Sequence, residues 1–147
     1  VMLMRAEALI ELDRLPEAQN IVNDIRHRAS LSVDKHISYA KDQCEIALYP
    51  EGYFATKEIA RKCLRWERRL ELAMENGRFF DLRRWGIASK TLNAYFQSEQ
   101  NDVYDGQAYG QYYKDAHFTA GKNEFFPIPY NQLYYIPGLY TQNKGYE

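Results

Sequence analysis

Carboxylate and guanidinium side chains are interleaved between Trp66 and Gly86, and they are the first candidates for chemistry in this sequence. A glycosidase needs two carboxyl groups facing one cleft, one of which donates a proton while the other acts as base or nucleophile. Here the carboxylates follow one another along a helix face and compete for several arginines, which suits proton transfer poorly. We therefore predict a structural ion-pair network, with a partner-binding surface as the alternative and a catalytic pair as the least supported interpretation. The motif consists of Glu67, Arg68, Glu71, Glu75, Arg78, Asp81, Arg84 and Trp85.

Aromatic side chains form the second set of candidates, because a flat ring stacks well on the apolar face of a sugar. Trp66 and Trp85 follow helical patterns, so we expect both indoles to lie in the core. Several tyrosines instead lie among short amide and carboxyl side chains, a mixture that suits carbohydrate binding. Packing of these rings on neighbouring helices is the competing and more frequent outcome. The candidate ligand-binding residues are Tyr104, Tyr109, Tyr112 and Tyr113.

Metal, cofactor and nucleic-acid chemistry have little support in the sequence. The three histidines have no ligand-like spacing, and no glycine-rich nucleotide motif or serine elbow is present. A formal net charge of −1 leaves no basic excess to hold a phosphate backbone. For Cys44 and Cys63, a buried free thiol at Cys63 is favoured over a disulfide. We expect no metal, no cofactor and no nucleic-acid partner.

Helical periodicity indicates how the chain positions these groups. It predicts one helix from Met2 to about Arg14 and a second from Pro16 through Ala29, joined by a tight turn. Two antiparallel helices with small residues at their contact are the unit of a tetratricopeptide-like repeat. Because such units bury their faces against neighbours, we expect this pair to finish an array that begins before Val1.

A longer third helix is predicted from Lys57 to Asn76, with Thr56 as its N-cap and Asn76-Gly77 as its left-handed end. Its predicted core stripe consists of Ile59, Cys63, Trp66, Leu70, Ala73 and Gly77. Between the second and third helices, the serines after Ala29 predict a loop. Residues 37–48 fit either a short helix or an extended segment, and Pro50-Glu51-Gly52 predicts a turn.

Regular structure becomes sparse toward the C-terminus. A helix is expected from Ile87 to about Phe96, followed by a surface loop over residues 97–123. Two prolines require an extended segment over residues 125–130, before one helical turn at 131–135. We expect the aromatic side chains there to pack back on the helices as a strap. The predicted fold class is all-α, a tetratricopeptide-like helical repeat unit plus a long helix and a loop-rich C-terminal strap.

Four segments in the same order resemble the SusD/RagB family, whose members are lipid-anchored glycan-binding proteins of the Gram-negative outer membrane. They are LMRAEAL from Leu3, ERRLELAMENGRFFDLRRWG from Glu67, FPIP from Phe126 and TQNKGY from Thr141. The resemblance implies that residues 1–147 are the C-terminal segment of one SusD-like domain, with its N-terminal half before Val1. It also implies that the charged motif is scaffold, and it assigns no ligand residue.

As expectations, the resemblance implies non-catalytic capture of oligosaccharide at the extracellular face of the outer membrane. The partner would be a SusC-like TonB-dependent transporter, and a lipid anchor outside this chain would hold the protein on the membrane. The leading alternative is a helical-repeat scaffold that binds a protein partner. A glycoside hydrolase domain is a third possibility, and it lacks the required carboxylate pair.

Overall fold

The computed structural model describes residues 1–36, 46–100, 103–104 and 107–147, and of these it gives no side-chain detail for 32–36, 103–104 and 107–109. The regular secondary structure of the described residues is helical apart from a two-residue antiparallel ladder, which confirms the all-α class. They divide into two compact units, residues 1–75 and 76–147, which are described in turn. The expectation of a single SusD-like domain over the whole chain stays a prediction.

In the first unit, an antiparallel helical pair packs with a third helix. The elements are α1 (Met2–Glu11), α2 (Leu15–His36) and α3 (Lys57–Glu71). Ala6, Ala18 and Ala60, one from each helix, are completely buried, because small side chains let the helix backbones approach closely. The predicted tetratricopeptide-like pair is confirmed. The core consists of Leu3, Ala6, Leu9, Ile10, Ala18, Val22, Ile25, Phe54, Ala60, Cys63 and Leu64.

Helix α2 is longer than its sequence predicts. The loop expected after Ala29 is wrong, because the helix continues to His36. The hydroxyl of Ser30 donates a hydrogen bond to the carbonyl oxygen of His27 at 2.7 Å, three residues earlier in the same helix. Serine can therefore satisfy its hydroxyl inside a helix, and its presence does not by itself end one.

Helix α3 begins as predicted and ends early. The backbone N–H of Ile59 donates to Thr56 Oγ1 at 3.3 Å, which confirms Thr56 as the N-cap. The helix ends at Glu71 rather than Asn76, so the predicted end is wrong. Met74 and Asn76 both adopt left-handed backbone conformations, with φ of 68° and 59°. The helix is therefore followed by turns over several residues instead of closing at Asn76-Gly77.

The predicted core stripe of α3 is confirmed only at Cys63 and is otherwise wrong. Its buried residues are Ala60, Cys63, Leu64 and Glu67, whereas Ile59, Trp66 and Leu70 are exposed. The stripe was predicted on the assumption that a glutamate faces water. Glu67 has a cationic partner on α2, so it can face inward, and the helix is rotated to bury it.

The second unit contains three short α-helices, and its small core includes one residue from each of the first two. Its elements are α4 (Arg78–Arg84), α5 (Ala88–Glu99), the ladder of β1 (Val103–Tyr104) with β2 (Gln107–Ala108), a 3-10 helix (Tyr109–Tyr113) and α6 (Tyr130–Tyr135). Leu82, Ala88 and Phe118 are buried together. The side-chain amide of Asn93 fixes the backbone of Phe118. It donates to the carbonyl oxygen of Phe118 at 3.0 Å and accepts from the N–H of Phe118 at 2.7 Å. The helix predicted from Ile87 is confirmed, and it extends three residues beyond Phe96 to Glu99.

Side-chain amides near the end of the C-terminal strap bond to the backbone near its start. Gln142 accepts from the N–H of Ile128 at 2.8 Å and donates to its carbonyl oxygen at 3.1 Å, while Asn143 donates to the carbonyl oxygen of Phe126 at 2.6 Å. The rings of Phe126 and Tyr130 are exposed, so the expectation that they pack on the helices is wrong. These amides therefore hold the two ends of the strap together.

Among the described helices, none has the length and apolar composition needed to cross a membrane.

Candidate functional site

An open groove with aromatic walls lies on the outer face of α3 in the first unit. Its volume is about 540 Å³, which is within the range of about 300–1,000 Å³ typical of small-molecule sites. Helix α3 supplies one wall, and the turn that precedes this helix supplies the other. The lining residues are Tyr49, Gly52, Tyr53, Ile59, Lys62, Cys63 and Trp66.

Trp66 is the principal aromatic side chain of this groove. Its side chain is 50% exposed, and the guanidinium carbon of Arg69 lies 5.5 Å from the ring centroid. On the opposite wall, the rings of Tyr49 and Tyr53 stack with centroids 5.2 Å apart and an angle of 26° between their planes. Lys62 adds an ammonium group to the lining. The groove thus combines flat apolar rings with a few hydrogen-bonding groups.

A buried ion pair lies behind the groove and positions Tyr49. The Glu67 carboxylate is only 4% exposed, and its Oε1 accepts from Arg26 Nη1 at 2.5 Å and from the Tyr49 hydroxyl at 3.1 Å. Arg26 also lies over the Tyr49 ring, 4.8 Å from its centroid, and donates to the carbonyl oxygen of Ala47 at 2.6 Å. Burial, followed by the charge of Glu67, raises the pKa of Tyr49 above its usual value, so the phenol remains a neutral donor.

Two amide side chains of α2 fix the backbone of the same wall. Asn23 donates to the carbonyl oxygen of Tyr49 and accepts from its N–H, both at 2.9 Å, as a neighbouring strand would. Gln19 donates to the carbonyl oxygen of Pro50 at 2.7 Å and accepts from the N–H of Phe54 at 3.0 Å. The predicted turn at Pro50–Gly52 is confirmed, since the N–H of Tyr53 donates to the Pro50 carbonyl oxygen at 3.0 Å. This wall is therefore held by side-chain hydrogen bonds in place of a sheet.

Cys63 is a free, buried thiol that contributes one side of the groove. Burial raises its pKa, which lowers the thiolate fraction and makes the sulfur a poor nucleophile. The prediction of a buried free thiol is confirmed for Cys63. Cys44 lies outside the described residues.

The charged motif is divided between the two units. In the first unit, Glu67 pairs with Arg26 and Glu71 pairs with Arg28, so both cations come from α2 rather than from the motif. Glu75 is exposed and Arg68 is half-buried. Neither Glu67 nor Glu71 lines the groove beside Trp66.

In the second unit, the motif brings arginines and an indole together. The buried carboxylate of Asp81 accepts from Arg84 Nε at 3.0 Å. The guanidinium carbons of Arg78 and Arg84 lie 5.9 Å and 5.0 Å from the ring centroid of Trp85. Trp85 is half-buried under these two cations, so the expectation of a core position holds only in part.

The candidate tyrosines receive different environments. Tyr113 is half-buried and stacks on Phe96, with centroids 6.2 Å apart, so its ring takes part in packing. Tyr112 is 73% exposed and remains accessible to a ligand. The side chains of Tyr104 and Tyr109 lie outside those that the structure describes.

The sequence-based interpretation missed Trp66 as a surface residue. It gives Tyr39, Tyr49 and Tyr53 as weaker ligand candidates, and of these Tyr49 and Tyr53 line the groove, while Tyr39 lies outside the described residues. The sequence does contain a signal for the face that is buried. A second stripe with helical spacing runs from Ala60 through Cys63 and Leu64 to Glu67. A glutamate on that face was interpreted as an outward residue. In the described part of the chain, no group of three or more histidine, cysteine or acidic residues could hold a metal ion.

The SusD family model matches residues 1–146. The chain belongs to the SusD family. Members of the SusD family are non-catalytic glycan-binding proteins associated with the cell surface and the outer membrane. No individual curated protein matches the chain.

Proposed function

We propose that this SusD-family protein captures oligosaccharide at the bacterial cell surface and delivers it, chemically unchanged, to a SusC-like TonB-dependent transporter. The observation that carries the proposal is the family match over residues 1–146. A lipid anchor on a segment outside this chain would hold the protein on the extracellular face of the outer membrane. Such an arrangement would place bound sugar beside the transporter entrance.

The groove beside Trp66 supports this function and is the proposed capture site of the first unit. The half-exposed indole can stack on the C–H face of a pyranose. The hydroxyl of Tyr53 and the ammonium group of Lys62 line the same groove and can bond to sugar hydroxyls. Tyr112 is a further proposed contact, because its ring is exposed.

A binding role without catalysis fits the carboxylates of the charged motif. Glu67 and Asp81 are buried, and each accepts a hydrogen bond from an arginine. A general acid needs a proton at the operating pH and a position beside the bond to be broken. We propose that these two residues stabilise the fold and that the protein breaks no glycosidic bond.

Affinity electrophoresis of the full-length protein through gels containing starch, xyloglucan, mannan or pectin tests this function. At least one polysaccharide should retard migration. A Trp66→Ala variant should bind it about tenfold more weakly, since loss of an aromatic stack removes up to ~1.5 kcal/mol. Met4→Ala is the matched control, because Met4 is also exposed in the first unit and does not line the groove.

Localisation provides an independent test. We expect protease treatment of intact cells to remove the protein, and membrane fractionation to recover it with the outer membrane in a lipid-modified form. Recovery in the cytoplasm, together with no retardation in any gel, would contradict the proposal and favour the helical-repeat scaffold.

A further inference from the structure

The second unit has an open cleft of its own, between α4 and the start of the strap. Its volume is about 480 Å³, and its lining residues are Phe80, Arg83, Arg84, Glu124 and Phe125. The cleft therefore combines two exposed phenylalanine rings with both signs of charge. This composition differs from a purely apolar groove, which would favour a hydrophobic partner segment.

The guanidinium group of Arg83 lies over two aromatic rings. Its guanidinium carbon lies 5.5 Å from the ring centroid of Phe79 and 5.2 Å from that of Phe125. No carboxylate of the described residues forms an ion pair with Arg83, whereas Arg84 is paired with Asp81. The N–H groups of Arg83 are therefore suited to bond with an acceptor that enters the cleft.

Glu124 supplies the complementary group. Its Oε2 atom is buried and accepts no hydrogen bond from the described residues. A carboxylate with one buried oxygen that has no donor is short of hydrogen bonds, so a donor that reaches the Glu124 carboxylate from the cleft is favourable. Because Glu124 and Arg83 line one cleft without pairing, the cleft offers an acceptor and a set of donors at the same time.

We propose that this cleft is a second glycan-binding site, which takes a neutral sugar residue with adjacent free hydroxyl groups. A hydroxyl both donates and accepts, so one can donate to the Glu124 carboxylate while its neighbour accepts from Arg83. The exposed rings of Phe80 and Phe125 would contact the C–H face of the sugar. A sugar carboxylate in this cleft would lie near the like charge of Glu124, which favours a neutral sugar. The inference rests on the proposed glycan-binding function and adds the site and the class of sugar.

The test is isothermal titration of the full-length protein with maltoheptaose, cellohexaose, mannohexaose and tetragalacturonate. At least one of the three neutral oligosaccharides should bind. Glu124→Leu should weaken that binding about tenfold or more, as expected for a lost hydrogen bond to a charged group. The same change should leave the melting temperature unchanged or higher, because it removes a buried carboxylate oxygen that has no donor.

A second variant and a matched control separate binding from folding. Phe125→Ala should also weaken binding, whereas Phe126→Ala should not, since Phe126 is exposed and does not line the cleft. Binding that is unchanged in Glu124→Leu and Phe125→Ala but lost in Trp66→Ala would overturn this site and leave the proposed function standing. Binding of tetragalacturonate alone would overturn the assignment to neutral sugars. Failure of all four probes to bind the wild-type protein would contradict both the site and the proposed function.

Discussion

Replacing Arg26 with methionine tests the role assigned to the buried ion pair behind the Trp66 groove. The change keeps much of the side-chain volume and removes the cation that Glu67 contacts at 2.5 Å. The Glu67 carboxylate, only 4% exposed, would keep the Tyr49 hydroxyl as a donor and lose its charge partner. An uncompensated buried charge costs about 3–5 kcal/mol, so we expect the free energy of unfolding to fall by that amount.

The matched control is Arg61→Met on the same unit. Arg61 donates two hydrogen bonds to Glu11, at 2.8 Å and 2.5 Å, so its geometry is at least as favourable as that of Arg26. The Arg61 and Glu11 side chains are, however, 40% and 49% exposed, and such pairs contribute only about 0–1 kcal/mol. Both variants should be compared with the wild-type protein by urea-induced unfolding followed by far-ultraviolet circular dichroism.

A double variant separates the ion pair from side-chain volume. Arg26→Met combined with Glu67→Leu removes both charges and should recover much of the lost stability, because apolar residues can replace a buried pair at little cost. A loss below about 1 kcal/mol in Arg26→Met, or a loss equal to that of Arg61→Met, would refute the argument that burial makes this pair important.

Three further outcomes follow from the structure. Asp81→Ala should lower the free energy of unfolding by about 1.5–3 kcal/mol, because it removes a hydrogen bond to a charged group. Sugar binding at the Trp66 groove should be unchanged when it is measured by titration with the identified sugar. Burial raises the pKa of Cys63 and of Tyr49, so at high pH the folded state retains protons that the unfolded chain releases. The free energy of unfolding should therefore fall as pH rises above about 8.5. A Tyr49→Phe variant should lose less stability over this range in thermal melts. Thr56→Ala should lower stability by about 1 kcal/mol in urea through loss of the α3 cap, and a Thr56→Ser variant that is equally destabilised would contradict the capping argument.

Local features of this protein could be predicted because they depend on neighbours in sequence. The Thr56 cap requires a side-chain oxygen three residues before a free backbone N–H. The Pro50–Gly52 turn requires a residue that tolerates positive φ at its third position, where Gly52 has a φ of 73°. The α1–α2 pair likewise follows from apolar spacing and a short connection. Its small buried alanines are visible in the sequence as well.

The face that α3 buries depends on residues far away in the chain. Helical spacing alone allows a stripe through Ile59 and Trp66 or a stripe through Ala60 and Glu67, and the more hydrophobic stripe was predicted. Only the packed structure places Arg26 beside Glu67, 41 residues away, which makes the buried carboxylate acceptable and turns Trp66 toward solvent. The sequence by itself therefore determined the α1–α2 pair, the start of α3 and the family resemblance, but not where α2 and α3 end. The tertiary structure decided which side chains are buried and which line the groove, because burial of a charge depends on a partner that spacing along one helix does not reveal.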